Sequence, residues 1–415
     1  MNAIKQSVAC CRFPGMLSLL LVVAVQPAPG RAADKSKTAS TEILVPLPTP
    51  LPPSTGLSGG APLKLTGRTG GQPVVGQVAG KGPWKPNTAF VLLPVPPEGL
   101  AGHLTFVAEP DPTAESPFTF TDENQTSLKL SEGSKHVLTY NYGMMLAPGV
   151  PPDRRRSAYI HPVVGLDGEI ISDDFPRDHY HHRGIFWAWP HVYFEGKTYD
   201  LWTIQGIHAR FEKWLTRETG PAYALIGVQN GWYIGDRKVL TETVWLQVFP
   251  AGQTGRAIDI HLTFQPEDKP VLIEGTHARS KGYGGYNFRF APRTETVMTT
   301  DKGRLPEDDN RTPFAWADYS ARFDGATARS GAAVFPHPKN PDLPGGWCLR
   351  HYGFVGTAWP GLEKLTITRD KPLVLQYRTW GHRHDAGPAR VADAYTIYAR
   401  RPKITLTVRQ QPNAR

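Results

Sequence analysis

Glycine and proline punctuate this chain at short intervals, 41 and 40 of its 415 residues, and that spacing leaves little room for helices. Proline cannot donate to a helix or a ladder, and glycine weakens both kinds of element. Elements must therefore be short and joined by turns. Between the breaks, apolar residues recur at every second position, the period of a half-buried strand. Ile258, Ile260, Leu262 and Phe264 alternate with Asp259, His261 and Thr263. Upstream, Leu240, Val244, Leu246 and Val248 share one face with Glu242 among them. The loop Pro250–Gly255 joins the two runs into a hairpin. Further strands are expected at 137–141, 271–277, 364–369, 371–379 and 403–409, and one short helix at 391–400. The pattern predicts an all-β chain: a large antiparallel β-sandwich over 119–410, preceded by a small β-module over 61–118. Ten of the eleven tryptophans fall between Trp187 and Trp380, which places the main core in the larger part.

The first 32 residues read as a signal peptide. Lys5 and Arg12 precede the apolar run Met16–Val25, and small residues follow at Gly30-Arg31-Ala32. About ten apolar residues are too few to cross roughly 30 Å of hydrocarbon, and no later segment is apolar for long enough. The expected location is periplasmic or extracellular. Residues 33–60, rich in Pro, Ser, Thr and Gly, read as a linker. Cleavage would remove Cys10 and Cys11, leaving Cys348 as the one cysteine, so stability must rest on the core and not on a disulfide. It would also remove Lys5, Arg12 and Arg31 but no acid, taking the net charge from +9 to +6 (9 − 3 = 6). The remaining basic residues are scattered. The densest run, Arg154-Arg155-Arg156, lies between Pro and Ser, with no module that would bind nucleic acid.

The densest chemistry lies in Asp173-Asp174-Phe175-Pro176-Arg177-Asp178-His179-Tyr180-His181-His182-Arg183-Gly184, directly before the aromatic run Ile185-Phe186-Trp187-Ala188-Trp189. Charge buried beside a core strand costs free energy unless each group is paired, so the segment reads as a polar pocket floor. On an extended backbone, His179 and His181 would share a side, with His182 opposite. That spacing admits three readings: a hydrogen-bonded corner, imidazoles that move protons or hold hydroxyls, or a metal held with Asp174 or Asp178. Downstream, a glycine-rich turn leads into Tyr286-Asn287-Phe288-Arg289-Phe290, where Arg289 either forms a structural ion pair or binds a carboxylate. His382 and His384 form a second i,i+2 pair beside Asp385.

Several motifs in order carry a family resemblance: His181-His182-Arg183-Gly184, Tyr199-Asp200-Leu201-Trp202, Trp316-Ala317-Asp318-Tyr319, Phe335-Pro336-His337-Pro338-Lys339-Asn340, and Trp347 through Gly353. Together, over about 119–410, they resemble the exported bacterial family labelled PmoA-like, or methane oxygenase PmoA. The resemblance implies a β-rich exported domain without an assigned reaction, because a membrane monooxygenase subunit needs several apolar spans. It favours His181, His182, Arg183, Trp202, Arg289, Trp316, Asp318, His337, Asn340, Arg350 and Tyr352. Three departures stand out. Cys348 occupies a position where that family commonly has His, 276–281 lacks the usual acid, and Thr357-Ala358-Trp359-Pro360-Gly361 replaces an Asn-Pro-Phe-Gly-like stretch.

The expectation is a secreted carbohydrate-active enzyme, a hydrolase, lyase or epimerase. His179, His181 and His182, with Asp178 and Asp318, are the candidate catalytic groups. Arg183, Trp202, Arg289, Trp316, His337, Asn340, Arg350 and Tyr352 are the candidates to hold a sugar or sugar-derived molecule. No cofactor and no nucleic-acid partner is expected. Alternatives are a non-catalytic glycan- or protein-binding surface and a copper or zinc site.

Overall fold

Strand follows strand from Ile43 to Val408, with one α-helix, Val391–Ala399, among the described residues. The computed structural model describes residues 42–409, apart from 54, 69–70 and 101. The expected signal peptide and residues 33–41 of the expected linker lie outside the described residues. No helix among those described is long and apolar enough to cross a membrane.

The expected hairpin forms from Arg237–Val248 and Gly255–Pro266, with Val244 opposite Leu262. These strands lie within a nine-stranded antiparallel sheet running from His208–Thr219 at one edge to Gly303–Leu305 at the other. A second nine-stranded sheet runs from Asp309–Pro313 to Phe118–Glu123 and holds Gly285–Arg289 against Ile185–Ala188 at its centre. The two sheets face each other across one apolar core. Trp189 of the second meets Trp232 and Phe264 of the first at 5.8 and 5.3 Å between ring centroids. The molecule is therefore an all-β sandwich, as the period-two pattern predicts.

The first sheet is covered on its other face as well. Leu225, Phe249, Ala257, Phe335 and Trp380 pack there against a six-stranded sheet and against Val391–Ala399. Burial on both faces explains why Ala222–Val228 reads as a continuous apolar run and not as an alternation. The six-stranded sheet also corrects the expected boundaries. Ile43–Pro50, inside the stretch read as linker, pairs along its length with Thr88–Val95, because Ile43, Val45 and Leu47 face the core. Ile404–Val408, from the far end of the chain, adds in parallel to Leu104–Pro110. The small sheet is thus not confined to 61–118.

Candidate functional site

Segment 173–184 is not extended. Pro176 opens a succession of turns in which His179 N donates to Pro176 O (3.0 Å) and His182 N donates to His179 O (2.8 Å). An i,i+3 turn brings His179 over His182, ring on ring at 4.7 Å and 4°. His181 stands edge-on to both. The expected i,i+2 partnership of His179 and His181 is therefore replaced by an i,i+3 stack of His179 and His182. Among the described residues, no three His, Cys, Asp or Glu side chains converge as a metal-ligand group.

The segment feeds Ile185–Ala188, whose partner strand ends at Arg289. Register then sets the site: Arg289 lies opposite Phe354, and Tyr352 occupies the turn just before that residue. The Arg289 Nη2 donates to both oxygens of Asp178, at 2.8 and 2.9 Å. Asp178 Oδ2 lies 3.0 Å from His179 Nδ1. Tyr352 is 40% exposed; it stacks on His179 at 5.3 Å and lies 5.0 Å beneath the Arg289 guanidinium. Trp202, buried, meets His182 edge-on at 5.7 Å and packs on Tyr283 at 4.5 Å. His179, His181, His182, Asp178, Arg289, Trp202 and Tyr352 thus lie together, with Tyr283 and Phe354 beside them. His182 stacks on Phe354 at 4.9 Å.

Electrostatics separate the imidazoles. Burial, then neighbouring His179 and Arg156, push His181 down to about 3. Burial and the same cationic surroundings hold His182 well below its usual range. Both rings are neutral near pH 7. Burial pushes the Asp178 carboxyl upward, yet the contacts from His179 and Arg289 prevail and hold it low. Asp174 is carried the other way, to about 6, by burial that outweighs Arg183.

Arg183 has a different role from the one expected. It is fully buried, with its guanidinium 3.4 Å above the Phe175 ring and Nη1 donating to Tyr180 O and His182 O. It staples the turn and faces no open space. Arg350 belongs to the sheet edge, donating to Asp309 O, Leu349 O and Asn310 Oδ1. Three further candidates, Asp318, Trp316 and His337, lie across the first nine-stranded sheet, and Asn340 sits beside Trp347 and Trp359. The pleat of Ala317–Phe323 sends Tyr319 toward the histidine side, where its hydroxyl donates to His351 O, and sends Asp318 the opposite way. There Asp318 meets His382 Nε2 at 2.7 Å and accepts from Ser320 Oγ at 2.7 Å, fully buried. His384, expected as a partner of His382, instead lies beyond the end of Leu373–Arg383 at positive φ. Trp316 belongs to the second core. His337 packs edge-on to Tyr398, and the Asn340 amide pairs with both backbone groups of Gln376.

Open space lies next to the histidines and not among them. A cavity of about 710 Å³ is lined by His161, Glu169, Asp173, Asp174, Asp324 and Arg329, among others. Asp173 and Asp174 form the wall between cavity and histidines: Asp173 Oδ2 is 3.8 Å from Arg289 Nε, and Asp174 Oδ1 is 3.4 Å from Arg183 Nε. Arg156 was flagged in the sequence only as part of a basic run, yet its guanidinium is buried over Phe186 at 5.0 Å. Its burial leaves no signal in the sequence.

Fold and site together define an all-β sandwich protein with a polar, aromatic-lined centre at the strand ends. The chain belongs to the family described as "Family of unknown function (DUF6807)", whose profile matches residues 127–396. None of these comparisons carries the PmoA label suggested by the ordered motifs. No curated protein matches the chain. Among solved structures, it is similar to the heparinase III BT4657 gene product at 12% identity, covering 66% of this chain and 36% of that one, with a TM-score of 0.24. It is similar to the 4-alpha-glucanotransferase from Thermococcus litoralis at 10% identity, covering 65% of this chain and 40% of that one, with a TM-score of 0.22. The chain spans well under half the length of either.

Proposed function

We propose that this protein is a secreted carbohydrate-active enzyme, a lyase, epimerase or hydrolase, in which His179 is the proton-transferring group. The observation that carries the reading is the line Arg289–Asp178–His179. Arg289 fixes the carboxylate, and the carboxylate lies 3.0 Å from His179 Nδ1; the reading assigns Nε2 to the substrate. The His179 side chain is 38% exposed, so a ligand reaches it. When Nε2 takes a proton from a sugar hydroxyl or an acidified C–H, the imidazolium that forms is stabilised by Asp178. His181 and His182, kept neutral by burial, hold hydroxyls without competing for that proton. The Tyr352 face offers a platform for a C–H patch, and the adjacent cavity has the size of a small-saccharide site. The basic, apolar and small-residue order of the first 32 residues supports reading it as exported.

The test is turnover of an oligosaccharide panel by the mature chain and by His179→Gln and Asp178→Asn. The expected loss is about 10²- to 10⁴-fold in kcat for each variant, with saccharide binding and thermal unfolding unchanged. Wild-type inactivity across the panel, or full activity in both variants, refutes the assignment.

A further inference from the structure

Among the described residues, buried side-chain nitrogens without hydrogen-bond partners gather around His182. Arg289 gives Nη2 to Asp178, but its Nη1 has no hydrogen-bond partner, in a side chain that is 6% exposed. Arg156, 5% exposed, gives Nη2 to Leu201 O at 2.5 Å and has no partner at Nη1. Among the described residues no carboxylate lies within ion-pair distance of Arg156; Asp200 and Glu242 act on it from farther away. His182 Nδ1 is likewise buried and unpartnered, its ring held between His179 and Phe354. Both guanidiniums act on the His182 ring, since each contributes to lowering its titration. Burial, then nearby Arg183, draw Arg156 itself down to about 9, and the more distant Asp200 and Glu242 offset this only in part.

A buried guanidinium nitrogen without an acceptor destabilises the fold, so each such group calls for a partner that explains it. What the arrangement lacks is an acceptor carrying negative charge. We propose that the centre binds a saccharide through an oxyanion on its ring, a carboxylate or a sulfate ester, seated between Arg289 Nη1 and Arg156 Nη1 with His182 Nδ1 as a third contact. Planar guanidiniums suit such oxyanions. Tyr352, exposed and lying across Arg289, is the side chain that moves aside for the ligand. The inference rests on the carbohydrate reading above and deepens it by naming the substrate class. Asp178 and Asp173 do not oppose it, because each is already directed at another part of Arg289: Asp178 at Nη2 and Asp173 toward Nε.

The test is calorimetric titration of the full mature chain with a uronate disaccharide, a hexose 6-sulfate disaccharide and the matching neutral disaccharide, at low and high salt. Sodium acetate and sodium sulfate are tested alone by thermal shift. At least one acidic sugar is expected to bind roughly tenfold or more tightly than the neutral one, with the gap shrinking in salt. Which acidic sugar prefers the site identifies the oxyanion. Arg156→Gln is expected to bring acidic and neutral sugars to parity, and Arg156→Lys to restore part of the gap. Wild-type selectivity and its salt dependence decide the matter even if a variant fails to fold. Equal affinity for acidic and neutral sugars in the wild type overturns this inference and leaves the carbohydrate reading standing. Thermal stabilisation by acetate or sulfate that Arg156→Gln abolishes, with no saccharide bound, supports the anion site and overturns the carbohydrate reading.

Discussion

A carboxylate and an imidazole sealed away from water govern one part of this molecule's stability. Asp318 and His382 are fully buried and 2.7 Å apart, and Ser320 satisfies the second carboxylate oxygen. Burial alone would lower the His382 pKa, but Asp318 reverses it, so the folded protein holds that proton more tightly than the unfolded chain. The contribution is complete below the ordinary histidine value of 6.5 and is lost as pH rises through the elevated folded value. Asp318→Asn breaks the pair and is expected to cost about 3–5 kcal/mol. Urea unfolding from pH 5 to 9 checks this: the gap between wild type and variant is widest at low pH and narrows toward high pH. The same residue shows where sequence reading ends. Asp318 sits in a polar-aromatic motif that suggests chemistry, and only the pleat reveals that it and Tyr319 serve opposite faces.

At the level of strands and turns, period two carried most of the information. The hairpin, the helix at the chain's far end and the strands near 137, 271, 365, 373 and 404 all follow from alternation and punctuation. Glu242 in the apolar face of Arg237–Val248 was legible too, and the structure supplies its reason. Asn230 Nδ2 and Trp232 Nε1 donate to its two oxygens at 2.9 and 2.8 Å inside the sandwich. Glu242→Leu leaves both donors buried without an acceptor, at about 1–3 kcal/mol each, and is expected to lower the urea midpoint accordingly. The histidine segment resisted the same approach. An extended backbone would put His179 and His181 on one side, but i,i+3 turn bonds set its geometry, and those depend on Pro176 and on Arg183 gripping carbonyls that no local pattern specifies. Arg289 stands out in the sequence because it interrupts an aromatic strand. Arg156 was passed over because nothing in its neighbourhood in sequence marks it as buried.

For the whole molecule, the three-layer arrangement was the least legible part. It depends on contacts between chain ends, and alternation cannot show which sheet lies over which. The six-stranded sheet has Ile43–Pro50 at one edge and Ile404–Val408 at the other, so residues from both ends of the described chain complete it. Leu406 is buried there on strand pairing with Leu104–Pro110. Leu406→Ala is expected to cost about 2–5 kcal/mol, measured by chemical denaturation.

Closure of an early sheet by a late strand makes one edge depend on residues three hundred positions away. Without residues near 404, Leu104–Pro110 keeps an unoccupied edge. A chain truncated before Ile404 should be cut by protease near 104–110, and the full chain should resist that cleavage.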